Sequence, residues 1–457
     1  MIKNIILLLS SLSSFSLGAL LSIAMFIMPY LLHKNLLFLD NTTENQKYIV
    51  LVFFGLSRVF ASILAIFFGP YYDNLYKSSP KYGTYSFLIG SIGIISMFFI
   101  MFNLKSLGIT TSNSLVISYI ILFFIFSIFM EIYSVNFYPL SNRLASLNIV
   151  DFKTLNVLNS LSNSLGMAAG GSILFIKNTI NINCENNFST FLCSETGILS
   201  IVIVLLNFPL IGSFFIKKLI HNYFNSCETY NVNYGFKDII KNYASVIKTS
   251  PELRVFYHIE FWYTVGFGLW NAGFIGYIVN VLKLSDSYFM LTMPIMMFCS
   301  GIATPIFYKK VSKSLTESKY SDTTVFLKYT GLSYLLFAFI TLISPIIIPM
   351  VDYNAIFQII FCAIILSFPI TATSVLPSKI IHSIIEKYEI KDPGTLHSFR
   401  GSVWLVGNGL GVILGVITYK FLIFINIEPS YNIAFSSIGF LISYFLLTRY
   451  FKNNPGS

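Results

Sequence analysis

The chain has 457 residues, of which 55% are hydrophobic and 11% are charged, and its mean hydropathy is +0.74. A soluble protein needs a polar exterior, so this composition excludes an ordinary soluble domain. The net charge of +10 does not indicate nucleic-acid binding, because the basic residues lie in short loops between apolar runs. We therefore predict an all-α integral membrane protein, since a backbone in lipid must satisfy its hydrogen bonds internally.

Apolar runs along the chain are long enough to cross about 30 Å of hydrocarbon as helices. We number them spans 1 to 12 and expect them at about 5–30, 48–70, 82–102, 113–140, 154–176, 197–217, 254–280, 286–308, 326–350, 354–376, 399–421 and 430–448. Lys3 ahead of span 1 resembles the start of a secretory signal. The apolar region that follows is too long for a signal, so we predict a retained span.

A polar stretch at 218–253 divides six spans from six. We expect an N-terminal six-helix bundle over 1–217 and a C-terminal six-helix bundle over 254–457. Apolar residues recur at helical spacing inside the polar stretch, with lysines between them, as in a helix that lies on the inner membrane surface. A plain cytoplasmic linker fits this pattern equally well.

Lys and Arg residues are distributed unequally between alternate loops. With a cytosolic N-terminus, the inner loops and the two termini hold the large majority of the 29 basic residues. Inner loops are rich in Lys and Arg in membrane proteins generally. We therefore predict a multi-pass protein with cytosolic N- and C-termini, in the plasma membrane or an endomembrane.

Two loops on the predicted outer side carry glycosylation sequons, at Asn41 and Asn187. Cys184 and Cys193 share the second of these loops, where a small disulfide can form. Chance sequons and unpaired thiols are the alternatives. The other cysteines have no metal-ligand spacing, and we predict neither a metal nor a cofactor.

Residues 151–170 are echoed by residues 392–411 at a constant offset. Both stretches begin with Asp, carry Thr three residues later and continue as an apolar helix with glycines four residues apart. Asn159 and Arg400 occupy the same place in the two copies. Because small residues let helices approach closely in lipid, we expect these glycines to pack where the two halves move past each other. Duplicated halves are typical of secondary transporters.

The spans, the duplicated halves and the basic central stretch resemble the major facilitator superfamily. Gly69-Pro-Tyr-Tyr-Asp73, followed by Lys77 and Lys81, resembles that superfamily's loop 2–3 motif, although the second Gly and the Arg pair are missing. The resemblance implies twelve transmembrane helices in two pseudo-symmetric six-helix bundles. It also implies that Asp73 caps neighbouring helices and helps to hold one conformation, and we assign Arg400 to the same conformational gate.

A narrower resemblance is to the glycoside–pentoside–hexuronide symporters, the melibiose-permease-like branch. Arg58 and Gly69 match the spacing of that branch in helix 2. The helix 4–5 junction matches at Tyr138-Pro139-Leu140, Asp151, Leu155 and Gly166. The two Asp residues that bind the coupling cation in that branch are Ala61 and Ala65 here, so the resemblance implies neither sodium coupling of that type nor a sugar substrate.

Ionisable side chains inside spans are costly and usually face a cavity or one another. Arg58 and Glu131 qualify, and we hypothesise that they form a switchable pair. Glu260 also qualifies, and we hypothesise that it binds a solute group or a proton with the help of His258. The alternative for Arg58 and Glu131 is a static pair that only fixes helix packing. The alternative for Glu260 is a side chain that reaches the inner membrane surface, and the alternative for His258 is a purely structural role.

Polar and aromatic residues on spans that line the central cavity of the resembled fold are candidates for solute contact. They are Asn136 on span 4, Trp270 and Asn271 on span 7, and Gln358 on span 10. Aromatic residues make up 17% of the chain, so most of them must face lipid or other helices.

These features together predict a secondary active transporter that moves a small polar or amphipathic organic solute by alternating access, with proton coupling as an option. The sequence contains none of the motifs of soluble catalysis, so we do not predict an enzyme. A non-transporting receptor or scaffold and a membrane enzyme that acts on lipid are the alternatives, and five scattered His residues speak against the latter. The expected partners are a small-molecule solute, protons and membrane lipid, with no nucleic acid, and the chain is expected to be a monomer.

Overall fold

The computed structural model describes most of the chain, and nearly all of the described residues are helical. It covers 2–24, 44–78, 80–104, 107–146, 149–172, 195–223, 250–276, 286–317, 322–350, 376–388, 393–428 and 431–453, with isolated positions between 238 and 248 and at 367, 370 and 371. The helices are α1 (Ile2–Ser22), α2 (Glu44–Ser78), α3 (Pro80–Phe102), α4 (Ser112–Ser146), α5 (Phe152–Gly171), α6 (Glu195–Asn207), α7 (Gly212–Tyr223), α8 (Pro251–Gly276), α9 (Asp286–Glu317), α10 (Asp322–Met350), α11 (Pro393–Phe424) and α12 (Asn432–Asn453). A further helical stretch occupies 376–387.

Eight helices in the described part of the chain are long and apolar enough to cross a membrane. Large apolar side chains on the outer faces of the helices are between 61% and 66% exposed, namely Leu205, Phe208, Ile306, Phe339 and Phe445. Small polar side chains are buried instead, among them Ser10, Ser16, Ser22, Ser91, Ser200 and Ser213. An apolar exterior over a partly polar interior suits lipid rather than water. The chain is an integral multi-pass membrane protein.

Every predicted span except span 10 coincides with a described helix. Spans 1 to 5 are α1 to α5, and span 6 is α6 and α7 joined by the 3-10 turn Phe208–Ile211. Spans 7 to 9 are α8 to α10, and spans 11 and 12 are α11 and α12. Several helices run past the predicted ends, as α4 does to Ser146 and α9 to Glu317, because helical hydrogen bonding continues beyond the apolar run that marks a span in the sequence.

The repeated segment begins with a helix cap. The side chain of Asp151 accepts a hydrogen bond from the backbone N–H of Thr154 at 2.9 Å, which caps α5. The shared Asp-x-x-Thr spacing is therefore a helix start. In the second copy, Asp392 lies outside the described residues.

The glycines of α5 pack against α1. A Cβ atom added at Gly166 would lie 1.8 Å from the carbonyl oxygen of Phe15, and one added at Gly170 would lie 2.6 Å from that of Ala19. Both helices belong to the first half of the sequence. Gly166 and Gly170 therefore permit close packing within that half.

The glycines of α11 make the equivalent contact with α8. A Cβ atom at Gly407 would lie 2.7 Å from the carbonyl oxygen of Phe261, and one at Gly411 would lie 2.2 Å from that of Val265. The expectation that the repeated glycines pack between the halves is therefore wrong. The reason is that the small faces of α5 and α11 are turned toward α1 and α8, their neighbours in the same half.

The two halves of the sequence meet along α2 and α11. A Cβ atom at Gly409 would lie 2.5 Å from the carbonyl oxygen of Gly55, so the two backbones are almost in contact. Farther along, the Ser402 hydroxyl donates to the carbonyl oxygen of Ser62 at 2.9 Å. Small residues thus occupy the α2–α11 contact along much of its length.

A second contact between the halves lies at the N-terminal end of α5. The ring of Phe152 stacks on the imidazole of His382, with centroids 3.7 Å apart, and the ammonium of Lys379 lies 4.8 Å from the Phe152 centroid. His382 and Lys379 both belong to the helical stretch 376–387. α5 is therefore joined to the second half at its first residue, and farther along it packs against α9.

Several predicted features lie outside the described residues. These are the sequons at Asn41 and Asn187, the cysteines Cys184 and Cys193, and Gln358. Asp73 lies within α2, and its side chain is outside the described set. The described positions between 238 and 248 are helical, and the form of the 218–253 connection as a whole stays a prediction.

Candidate functional site

A buried ion pair joins α8 and α11. The Nε atom of Arg400 donates to Oε1 of Glu260 at 2.8 Å, and the two side chains are 17% and 2% exposed. The close approach of α8 and α11 at their glycines brings the two groups together. Burying two charges is unfavourable unless geometry and further hydrogen bonds compensate, so a pair at this depth is a candidate functional site.

One oxygen of this pair is left open. Oε2 of Glu260 is buried and accepts no hydrogen bond within the described part of the chain. Buried polar atoms in folded proteins are nearly always hydrogen-bonded, and a carboxylate oxygen can accept more than one donor. Oε2 is therefore the position at which a proton or a donor group of a solute would be accommodated.

A second buried carboxylate lies on α4 and has no interaction with Glu260 or Arg400. Glu131 is 5% exposed and makes no ion pair with any described residue. Tyr138 lies about two turns farther on, on the same face of α4, and it interacts electrostatically with both Glu131 and Arg400. Tyr138 also keeps 38% of its surface exposed. α4 contacts α11, and Tyr138 rather than Glu131 is the described residue of α4 that interacts with Arg400.

Arg58 does not pair with Glu131, which corrects the hypothesis made from the sequence. The Arg58 guanidinium donates to Oδ1 of Asn408 on α11 and lies 4.4 Å from the centroid of the Phe54 ring. Nδ2 of Asn408 is buried and has no acceptor among the described residues. The reason is the packing of α2 on α11, which turns the Arg58 face of α2 toward α11. Arg58 is therefore part of the contact between the halves.

His258 is exposed, whereas Glu260 is buried. Residues two apart on a helix point in directions about 200° apart, so the two side chains cannot share one site. The prediction that His258 assists Glu260 is therefore wrong.

Trp270 and Asn271 lie farther along α8. Trp270 is 1% exposed, with its ring centroid 5.6 Å from that of Phe267 and 6.1 Å from that of Phe337, so it belongs to an aromatic core. Trp270 lies about 15 Å along the helix from Glu260, so it does not contact the ion pair. Asn271 is buried, and its Oδ1 atom accepts no hydrogen bond from the described residues. Its contact with solute stays a prediction.

Asn136 on α4 is also buried with an open Oδ1 atom. Its Nδ2 atom donates to the carbonyl oxygen of Ile132 at 2.7 Å. Asn103 and Asn207 show the same pattern, with a bond to the preceding turn and an open Oδ1. Because the pattern recurs away from the ion pair, it does not identify Asn136 as a site residue.

Sequence reasoning missed three features of this region. It named Tyr138 only as part of a family motif, it did not name Asn408, and it assigned Arg400 to a gate without its partner Glu260. The position of Tyr138 on the same helical face as Glu131 was a usable signal. Asn408 had none, because a single Asn in an apolar helix does not reveal what it contacts.

No three His, Cys, Asp or Glu side chains come together as a possible metal site within the described ranges. The charged groups of the ion pair are those of Glu260 and Arg400, and Glu131 is a further buried carboxylate on α4. Carboxylates of this kind can exchange a proton or bind a cationic group.

Comparison with known proteins identifies the fold. No protein-family model and no curated protein sequence matches the chain. A bacterial homologue of the iron transporter ferroportin, in an outward-facing state, matches with a TM-score of 0.59 at 12% identity, over 98% of this chain and 99% of that chain. The human organic anion transporter MFSD10 (TETRAN) matches with a TM-score of 0.59 at 12% identity, over 98% of both chains.

A variant of the nucleoside transporter NupG matches with a TM-score of 0.53 at 13% identity, over 98% of this chain and 99% of that chain. These likenesses extend along almost the whole chain. The chain therefore has the all-α fold of the major facilitator transporters.

Proposed function

We propose that the chain is a secondary active transporter that moves a small polar or amphipathic organic solute across a membrane by alternating access. The full-length likeness to solved transporters supports this function. The observation that carries it is the buried Glu260–Arg400 pair, which has an open Oε2 atom and interacts with Tyr138 of α4. Oε2 differs from the open amide oxygens elsewhere in the described chain because it belongs to a carboxylate, which can take up a proton.

The site draws on both halves of the chain. Tyr138 comes from the first half, and Glu260 and Arg400 come from the second. A solute held among these groups would contact both halves, and rocking of one half against the other would change the spacing of the groups. Protonation of Glu260 would change the charge of the site, because burial and the nearby Arg400 act in opposite directions on the protonation of that carboxylate. Proton coupling is therefore part of the proposal.

The α2–α11 contact supplies a surface on which the halves would move. Its close Gly55–Gly409 approach and the Arg58–Asn408 hydrogen bond both join the first half to the second. In the proposed cycle these contacts belong to one state and separate in another.

Topology, domain bounds, oligomeric state and membrane are proposed from the sequence. We propose cytosolic termini, bundles over 1–217 and 254–457 joined by a 218–253 linker, and a monomer in the plasma membrane or an endomembrane. The melibiose-permease-like resemblance supports no sodium coupling, because Ala61 and Ala65 replace its cation ligands and both are buried on α2.

Solute uptake by the purified full-length protein in proteoliposomes tests the function. The panel contains nucleosides, sugars, organic anions and organic cations, each with and without a pH gradient. We expect uptake of at least one solute, its loss in Glu260→Gln, and its retention in Glu428→Gln, where the side chain is exposed. Folded protein that takes up none of the solutes would contradict transport and favour the receptor or scaffold alternative.

A further inference from the structure

A buried cation without an acidic partner lies at the contact between the halves. Arg58 is 8% exposed, and it forms no ion pair within the described part of the chain. Glu131, the buried carboxylate of α4, does not interact with it electrostatically. A buried charge is costly unless an opposite charge and hydrogen bonds compensate for the lost water. The positive charge of Arg58 is therefore not neutralised by any described residue.

The partners that Arg58 does have carry no net charge. Its guanidinium donates from Nη1 to Oδ1 of Asn408 and lies 4.4 Å from the centroid of the Phe54 ring. A guanidinium has five N–H donors, and Asn408 is the one side chain in the described ranges that accepts from it. This part of the protein therefore lacks negative charge and acceptors, not donors.

A second open donor lies at the same place. Asn408 is 0% exposed, and its Nδ2 atom has no acceptor among the described residues. Oδ1 and Nδ2 belong to one planar amide, so the open N–H groups are next to the atom that Arg58 contacts. Buried polar atoms are nearly always hydrogen-bonded. A guanidinium and an amide N–H side by side are suited to a carboxylate or another anion.

The contact is too tight to hold an anion while α2 and α11 touch. A Cβ atom added at Gly409, next to Asn408, would lie 2.5 Å from the carbonyl oxygen of Gly55 and 3.3 Å from the Cβ atom of Arg58. When the halves separate here, Arg58 loses its bond to Oδ1 of Asn408. An anion between the two side chains would replace that bond and supply the missing charge.

The inference rests on the transport function proposed above and names the charge of the solute. We propose that the protein transports a small anion, whose negative group is bound between the Arg58 guanidinium and Nδ2 of Asn408 when α2 and α11 separate. This group is either the carboxylate of an organic solute or an inorganic anion such as chloride. The anion site lies about 12 Å along α11 from Arg400, so it does not compete with the Glu260–Arg400 pair.

Matched probes test the charge directly. Benzoate is compared with benzamide, nicotinate with nicotinamide and succinate with succinamide, because the members of each pair have similar shape and only the first is charged. Sodium chloride is titrated separately. Binding is measured as the rise in the thermal unfolding midpoint of the full-length protein in detergent and low-salt buffer.

Each arm of this experiment has a defined result. For an organic solute, we expect at least one acid to bind at least about tenfold more tightly than its amide, a difference of about 1.4 kcal/mol. For an inorganic anion, we expect chloride to raise the midpoint and the acids and amides to behave alike.

Asn408→Asp separates charge from fold. The new carboxylate has the shape of the amide and would neutralise Arg58, so we expect an unfolding midpoint no lower than that of the parent protein and an affinity for the anion at least about tenfold weaker. Arg58→Gln should also abolish the response to anions. Arg449→Gln, which changes an exposed arginine on α12, should keep it.

Three results would overturn the anion proposal. They are a folded Asn408→Asp protein that binds anions as tightly as the parent, equal binding of acids and amides with no response to chloride, and a salt effect that is unchanged in Arg58→Gln and so reflects ionic strength alone. Uptake of a neutral or cationic solute in the proteoliposome panel would leave transport standing while the anion proposal fails.

Discussion

Arg400 and Glu260 form a charged contact at a place where the other half of the chain has a neutral one. Arg400 Nε donates to Glu260 Oε1 at 2.8 Å between α11 and α8. At the repeat position of Arg400, Asn159 accepts a hydrogen bond from the hydroxyl of Ser10 at 3.0 Å, between α5 and α1. Both bonds join the helix pair that the repeated glycines bring together. Both halves thus share the same helix packing, and the contact in the second half is the charged one.

We expect Arg400→Gln to destabilise the protein strongly. It leaves the Glu260 carboxylate buried without its cation, and breaking a buried pair on one side typically costs roughly 3–5 kcal/mol. The double variant Arg400→Gln with Glu260→Gln should recover much of the loss, because no uncompensated charge remains. Thermal unfolding of the purified variants measures both effects. A double variant less stable than either single variant would contradict the pairing.

We expect Gly411→Ala to disrupt the contact between α11 and α8. The added Cβ atom would lie 2.2 Å from the carbonyl oxygen of Val265, so the helices must move apart, and overpacking of this kind costs roughly 1–3 kcal/mol. Gly401→Ala on the same helix is the matched control, because its Cβ atom would meet nothing within 4 Å. The control should be neutral or slightly stabilising, by up to about 1 kcal/mol. Equal unfolding midpoints for the two variants would argue against this packing.

We expect Gly55→Ala to affect transport more than stability. Its Cβ atom would lie 2.8 Å from the carbonyl oxygen of Gly409, across the contact between the halves. A clash there disfavours the state in which α2 and α11 touch, and about 1.4 kcal/mol shifts the balance of states tenfold. Uptake should therefore fall by about that factor while the unfolding midpoint changes little. A large loss of stability with unchanged uptake would show that the contact does not separate during the cycle.

A salt bridge outside the spans predicts a pH dependence of stability. Glu252, at the start of α8, accepts hydrogen bonds from Lys387 and, at 2.8 Å, from the hydroxyl of Tyr388. Burial acts to raise the pKa of Glu252, but these bonds and the Lys387 charge outweigh it, so the pKa lies below its ordinary value of 4.5. The hydrogen bond to Glu252 raises the pKa of Lys387 above 10.5.

The sign of each contribution follows from linkage. The ionised Glu252 side chain adds to the free energy of unfolding above pH 4.5, and this stabilisation is lost as the pH falls through the lowered pKa. The charged Lys387 side chain adds to the free energy of unfolding below pH 10.5, and this stabilisation is lost as the pH rises through the raised pKa. Glu252→Gln should therefore lower the unfolding midpoint at neutral pH and flatten its decline in acid, relative to Glu428→Gln. Parallel pH profiles for the two variants would contradict the bridge.

The sequence predicted where the helices lie and which ionisable residues are buried inside them. Long apolar runs marked the helices, because the length needed to cross hydrocarbon is read from neighbouring residues. The same reasoning identified Glu131 and Glu260 as buried, since few ionisable groups lie so far inside apolar runs.

The sequence did not predict which buried groups meet. Arg58 lies on the first-half helix that packs on α11, so its partner is Asn408 rather than Glu131. Arg400 was assigned to a gate at the start of span 11, although helix α11 begins at Pro393 and brings it to Glu260. Helix rotation and helix pairing decide both contacts, and neither is encoded in the spacing of one segment.

The most direct test asks whether the site between the halves is reached by water from each side in turn. Tyr138→Cys is made in a protein whose five native cysteines have been replaced, and it is reconstituted and treated with a membrane-impermeant thiol reagent on one side or the other. Alternating access at a solute site predicts reaction from both sides, slowed in each case by the transported solute. A thiol that reacts from neither side in the folded protein, yet reacts fully after denaturation, would contradict it.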